Sequence, residues 1–450
     1  TAHRAYLKMN EAKFVTGKLS THILKMASTS SIGLIAIFFV DLLDLFFIGL
    51  LDEIDKVSAV GIAGSIVFLL TSISIGASVS AGALVSKSIG EKDIFKAKHY
   101  AINCALVSAG LTLIITVIAL LFMEEIVYML GAKGHVASIA LDYLIIVMPS
   151  SVLLSLALSS IAILRALGDA KGAMLTTLSG ALIHLALDPI LIFTMNVGVN
   201  GAEIASVFAR VTFLVVAVSR IYVKHKLLTT PKISILLRNS PTILNIALPA
   251  ILTNCATPLG NAFVLYSLAK FGTDYVAGYA VISKIIPVCF AFIFSLSGAV
   301  GPILGQNYGA KKWRRIKRAM LDAHKVNLLF CILISIILLM CSNLLIYSFN
   351  MSGQAADIID FFCSFIAFTF IFNGMLFLSN AALNNLGSPK TSSVLNVGKA
   401  TLGTIPFVIY GGMAWGAPGV LIGQALGSAM FGLLGVIIAR RLVYRIAFTR

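Results

Sequence analysis

Two pairs of ionisable side chains stand where the sequence otherwise avoids water. Asp41 and Asp44 interrupt FFVDLLDLFFIGLL, Phe38 to Leu51, and His184 and Asp188 lie within ALIHLALDPILIF. Spacings of three and four place each pair on one face of a helix. An ionisable group at bilayer depth costs at least about 2.5 to 3.5 kcal/mol on insertion scales, so each is a candidate for function. If the two helices face each other, the acids form a pocket for protons or a small cation. Carboxylates crowded together out of water do not all ionise, so Asp41, Asp44 and Asp188 are expected to keep at least one proton at neutral pH and to titrate as a unit. That is the property a proton-driven carrier needs.

Blander readings of the same residues stay open. Asp44 is close to the acidic outer loop at Asp52 and Glu53 and suits an interfacial position. His184 suits a packing histidine bonded to a carbonyl, and Asp188 suits a group that satisfies backbone freed by Pro189. Glu203 and Arg210 read as an entry carboxylate and an internal ion pair. Lys284 reads either as a partner for helix-end carbonyls or as a cavity-lining charge.

The elements that would position these groups are membrane helices. Of 450 residues, 59% are hydrophobic and 12% charged, which excludes a soluble protein with a polar skin. Apolar blocks cover roughly 22–51, 58–86, 95–122, 137–164, 171–195, 202–223, 243–269, 276–304, 323–348, 358–384, 391–413 and 418–439, an expectation of twelve spans. The basic lead-in at Arg4, Lys8, Lys13, Lys18 and Lys25 has no small-residue cleavage site behind it and is not read as a removable signal. The absence of an initiator Met reads as trimming.

The formal charge is +16, and most of the 34 Lys and Arg fall at the two termini and in the even-numbered loops, with Lys390 and Lys399 counted among the latter. The odd loops hold Lys56, Lys133 and Lys270. This asymmetry predicts both termini in the cytoplasm and a multi-pass protein of the plasma (inner) membrane. AKKWRRIKR at 310–318 reads as a topology determinant touching anionic lipid headgroups; no nucleic-acid partner is expected. The 6 Cys are isolated in apolar spans and read as packing residues. With no phosphate-binding glycine loop, metal-ligand cluster or nucleophile with a paired base, the chain is not expected to be an enzyme, to use ATP or to hold a cofactor.

An internal repeat appears at a displacement of ~219 positions. VSKSIGEKD lies over LGQNYGAKK, LRALGDAKG over LNNLGSPKT, and GVNGAEIA over GAPGVLIG. Six helices therefore repeat as six, with a pseudo-two-fold along the membrane normal and a cavity expected between the lobes. The lobes are placed at 1–223 and 242–450, bridged by the loop 224–241.

These landmarks, with the Asp44-x4-Gly49 step and LDPILIF followed by GVNGAEIAS, resemble the multidrug and toxic compound extrusion (MATE) family over essentially the whole chain. The resemblance implies a V-shaped pair of six-helix bundles and export of a substrate against a proton or sodium gradient. It implies cation coupling at Asp44 and Asp188 and matches the family's helix-6 hydroxyl to Ser206. His184 departs from the family's usual Asn, and Asp41 is not a standard family acid. The NorM-like branch carries acids where ungapped alignment puts Thr257 and Met375, so the DinF-like branch, coupled through the first lobe, is favoured.

The functional expectation is efflux of small cationic or amphipathic organic compounds by proton antiport with alternating access, in a monomer. Sodium, held at Asp44 and Asp188, is the alternative ion. A lipid-headgroup flippase of the wider superfamily is the alternative activity. Asn254, Asn261, Asn373 and Asn380, with Lys284, are candidates to line the substrate cavity, although Asn between membrane helices also serves as glue.

Overall fold

Helices that are apolar on every side bury no single face and are stable only in lipid or in the interior of a bundle. The computed structural model describes residues 12–49 and 54–448, so Arg4, Lys8, Asp52, Glu53 and Arg450 lie outside it. The described residues are helical, with no strand among them. The spans are α1 (Leu19–Gly49), α2 (Ile54–Gly90), α3 (Ile94–Leu121), α4 (Gly134–Ala166), α5 (Ala170–Thr194), α6 (Val199–His225) and α7 (Ile233–Ala269). They continue with α8 (Thr273–Cys289 and Ala291–Gly309, bent by 45°), α9 (Trp313–Ser348), α10 (Gly353–Asn385), α11 (389–414) and α12 (417–448).

The last two form one continuous run by hydrogen bonding, and only their geometry separates them. A straight helix of 59 residues would reach about 90 Å, three times the roughly 30 Å of a bilayer core. Instead the chain folds back at Trp415 and Gly416, where Gly416 has φ +64°. A methyl group on Gly411, Gly423 or Gly427 would collide with the backbone of Gly419, Phe407 or Gly403 respectively. That antiparallel series of contacts identifies a tight hairpin, packed through small residues in the manner of membrane helices. Counted this way, the described residues contain the twelve spans expected.

The repeat is visible in the backbone. Left-handed conformations recur at the displacement found in the sequence: Lys92 and Lys311, Gly131 and Asn350, Gly134 and Gly353, Gly168 and Gly387. Gly198 before α6 has φ +64°, ψ −140°, and Gly416 before α12 has φ +64°, ψ −146°. The same turns therefore end the same helices in both halves.

The chain divides into two compact units. The first contains Ile32–Ile251, and the second contains Lys13–Ser31 together with Leu252 onward. Both α1 and α7 are thus shared, each contributing its first part to one unit and its remainder to the other. The core of the first unit is built around Val85, Ile89, Ala97, Cys104, Leu164 and Leu227. In the second, the segment at Lys13–Val15 is clasped by side chains: the Phe14 N–H donates to Gln306 (2.9 Å), and Asn307 and Arg315 both donate to the Phe14 carbonyl (3.1 and 2.9 Å). Among the described residues the six Cys are unpaired.

Candidate functional site

The first unit brings three helices together around one imidazole. Asp44 projects from α1, His184 and Asp188 from successive turns of α5, and Ser206 from α6. His184 Nε2 lies 3.3 Å from Asp44 Oδ2, 3.5 Å from Asp188 Oδ1 and 3.3 Å from Ser206 Oγ. Asp188 is fully buried and His184 is 9% exposed. The α5–α6 hairpin that carries three of the four is held in place by Gly180 and Gly201, where any side chain would strike Phe213 and the Leu191 backbone.

A single Nε2 carries at most one hydrogen, so it cannot serve two carboxylates and a hydroxyl at once. Asp44 Oδ1 and both oxygens of Asp188 are buried without a hydrogen-bond partner. Buried polar atoms are normally satisfied, and orphaned carboxylate oxygens mark a place completed by a proton or a cation. The imidazole and carboxylate ligand atoms of Asp44, His184 and Asp188 all lie within 4.8 Å of one another, close enough to surround one ion. Two carboxyl groups that close can also hold a proton between them. The His184 ring is in hydrogen-bonding contact with the Ala202 main chain, which orients it.

The structure places the other candidates differently. Asp41 is exposed on α1 and is not among the three groups around the imidazole. Glu203 is 2% exposed, contacts the Tyr143 hydroxyl and keeps its second oxygen unpartnered. No ion pair forms between Glu203 and Arg210. The guanidinium instead donates to the Val147 carbonyl (3.1 Å) and to Ser150 Oγ (2.7 Å), holding α6 against α4.

In the second unit Asn380 belongs to a buried network. Its amide oxygen accepts from Ser392 (3.0 Å) and Asn396 (2.8 Å), tying α10 to α11. Asn261 is exposed and accepts from Gln424 (3.2 Å), Asn254 is half-buried, and Lys284 is exposed on α8. Asn373 accepts a hydrogen bond from Lys399. Lys399 is a correction to the sequence reading, which grouped it with a basic loop. It stands ten residues into α11, about 15 Å from the helix start, and so within the span. The signal was present, since the expected span 391–413 already contained it.

One further cluster was not anticipated. Asp169, in the turn between α4 and α5, caps α5 by accepting from the Gly172 N–H (3.1 Å). It also receives Arg220 Nε (2.8 Å), Lys224 Nζ (3.1 Å) and His225 Nε2 (2.8 Å). Burial alone would push its carboxyl up. The bonds from His225, Arg220 and Lys224 outweigh burial and hold it well below the usual carboxylate range. Asp169 belongs to LRALGDAKG, one of the repeat landmarks, and its second-half counterpart is Ser388.

Comparison with known proteins identifies the family and the fold. The MatE family model matches residues 30–190 and 249–410. The chain is 26% identical over 395 residues to a Shewanella oneidensis FAD transporter, covering 86% of this chain and 87% of that one. It is 25% identical over 426 residues to the multidrug export protein MepA of Staphylococcus haemolyticus, covering 92% and 90%. Its fold superimposes on the crystal structure of a mutant of the Vibrio cholerae MATE transporter VcmN with a TM-score of 0.89, at 21% identity, over 95% of this chain and 98% of that one.

Proposed function

The chain belongs to the MatE family of multi-pass membrane transporters, and from that premise we propose that it exports small organic compounds by proton antiport, with Asp44, His184, Asp188 and Ser206 as the coupling site. One observation carries the reading: an imidazole nitrogen faces a buried and a half-buried carboxyl group that lack enough partners for their oxygens. A proton shared between the two carboxyl groups would give these oxygens the donor they lack. Loading a proton neutralises a carboxylate and gives it a donor, and releasing the proton restores the charge.

Proton loading reaches the rest of the molecule through α1. Asp44 sits in the part of α1 that belongs to the first unit, while Leu19–Ser31 belongs to the second. A change in how Asp44 is held therefore acts on a helix shared by both units. Alternating access follows if proton loading and substrate binding favour opposite arrangements, a coupling that is reciprocal by linkage. The loops rich in Lys and Arg face the cytoplasm, and the membrane is the plasma membrane. The names of the relatives, an FAD transporter and a multidrug export protein, support amphipathic organic molecules as substrates.

Sodium is the weaker reading. A hard cation takes oxygen ligands, and the atom facing both carboxyls here is nitrogen. The test is ethidium transport in proteoliposomes under an imposed pH gradient or an imposed sodium gradient, one at a time. Proton drive predicts transport with the first alone; transport with sodium alone would reverse the assignment.

A further inference from the structure

The second unit holds a half-buried cation within a span, with no acid bonded to it among the described residues. Lys399 is half-buried, opens a π-helical turn at Lys399–Gly403, and donates to the Asn373 side-chain oxygen across to α10. A π-turn inside a helix is uncommon and concentrates at functional sites, because it turns a side chain out of the regular register. The carboxylates of this half stand elsewhere. Asp274 lies in the first turn of α8, Asp357 and Asp360 in the second turn of α10, and Asp322 is the tenth residue of α9. No ion pair to Lys399 is found among the described residues.

A lysine kept for packing alone would be satisfied by carbonyls or by a neighbouring acid. Here the ammonium meets one amide oxygen, leaving two of its three N–H donors, and the Asn373 amide adds donors of its own. The neighbouring Asn380, Asn396 and Ser392 are occupied with each other and hold the two helices at fixed spacing. The arrangement is a rigid frame with one cationic group presented from a helix irregularity.

We propose that Lys399 and Asn373 form a binding site for the oxyanion, phosphate or carboxylate, of a small organic substrate. The inference rests on the exporter reading and adds to its substrate range molecules that carry an anionic group. It also separates the two tasks, because an anion would be repelled by the carboxylates of the first unit and is drawn to the second.

The test is binding of riboflavin and riboflavin 5′-phosphate, which share one ring system and differ in the phosphate. Intrinsic flavin fluorescence is followed on the full chain in phosphatidylcholine nanodiscs, with no gradient imposed. The expected result is at least tenfold tighter binding of the phosphate ester. That preference should be lost in Lys399→Met and kept in Lys399→Arg. Equal affinity of the native protein for the two flavins, or a preference that survives Lys399→Met, would overturn the proposal. So would loss of the preference when phosphatidylglycerol is added, since the site would then belong to a lipid headgroup. Because no gradient is present, failure here leaves the proton-drive experiment to stand or fall separately.

Discussion

The two halves of the chain share one backbone plan and carry opposite chemistry. At the repeat displacement Asp44 falls on Phe263, His184 on Gly403 and Asp188 on Phe407, while Lys399 falls on Gly180 and Asn373 on Leu154. The turns match closely enough to reproduce the dihedral angles of Gly198 at Gly416. What the repeat preserves is thus the scaffold, and what each half adds is its ionisable groups. The first half collects acids around an imidazole, and the second has a lysine bonded to an asparagine. Backbone pairing in a membrane must be satisfied whatever the task, whereas each buried charge costs energy and persists where it has a use.

Substitutions can break this contrast, and the largest effect is expected at the acid cluster. Asp44→Asn keeps the side chain's shape and removes its titration. Gradient-driven ethidium efflux should fall by about a hundredfold or more, with the protein still monodisperse on size-exclusion chromatography. Unchanged efflux would remove the first half from the coupling role.

Next in size is Asp169→Ala, which leaves Arg220, Lys224 and His225 facing each other without their shared acceptor. Breaking a buried ionic group of this kind costs about 3 to 5 kcal/mol, so the thermal unfolding midpoint should drop by several degrees. The pH dependence follows from its depressed carboxyl. The stabilisation is present above the usual carboxylate value, near 3.9, and is lost as pH falls through the lower value of the folded state. Native and variant midpoints should therefore differ most at neutral pH and still differ at about pH 4. Equal midpoints at neutral pH would show that the cluster contributes nothing to stability. Ser388, at the matching turn of the second half, bonds to the Thr391 hydroxyl (2.9 Å) and to no cation among the described residues, and Ser388→Ala should change the midpoint little.

His184→Asn tests the identity of the ion. It makes the site's ligands oxygen-bearing and removes the one nitrogen that faces both acids. Proton-driven efflux should fall about tenfold, and a sodium gradient should support more transport than in the native protein. No gain with sodium would mean that the imidazole does not select the ion. The smallest change is expected from Ser206→Ala. One hydroxyl contact contributes about 1 kcal/mol, so apparent proton affinity should shift by less than tenfold, read from the pH dependence of efflux.

Much of this was legible before any coordinates. Twelve apolar blocks, the repeat, and the pairs at Asp44 and at His184 with Asp188 follow from hydropathy, self-similarity and helical spacing. The pairing between α1 and α5 was stated as a condition, and the structure meets it for Asp44 but not for Asp41, one turn away. A spacing of three places two residues on the same face, yet a cluster only a few ångströms wide admits one of them. Asp169 is legible in the sequence as a repeat landmark and not as a hub, because its partners lie more than fifty positions away. Lys399 is ambiguous in the sequence because a basic residue just past a loop looks the same, by position, whether it ends the loop or enters the span.

The sequence by itself determined that this is a membrane protein of repeated helices, since the bilayer leaves a long apolar segment few other structures. It also determined the family, through motifs tied to the turns where backbone geometry is most demanding. Only the tertiary structure decided which acids meet. It also decided that α11 and α12 turn back at Gly416, and that α1 and α7 are each divided between two units. Those outcomes depend on how helices rotate and approach one another. That approach is set by side-chain contacts between residues far apart in the chain, and no local pattern records it.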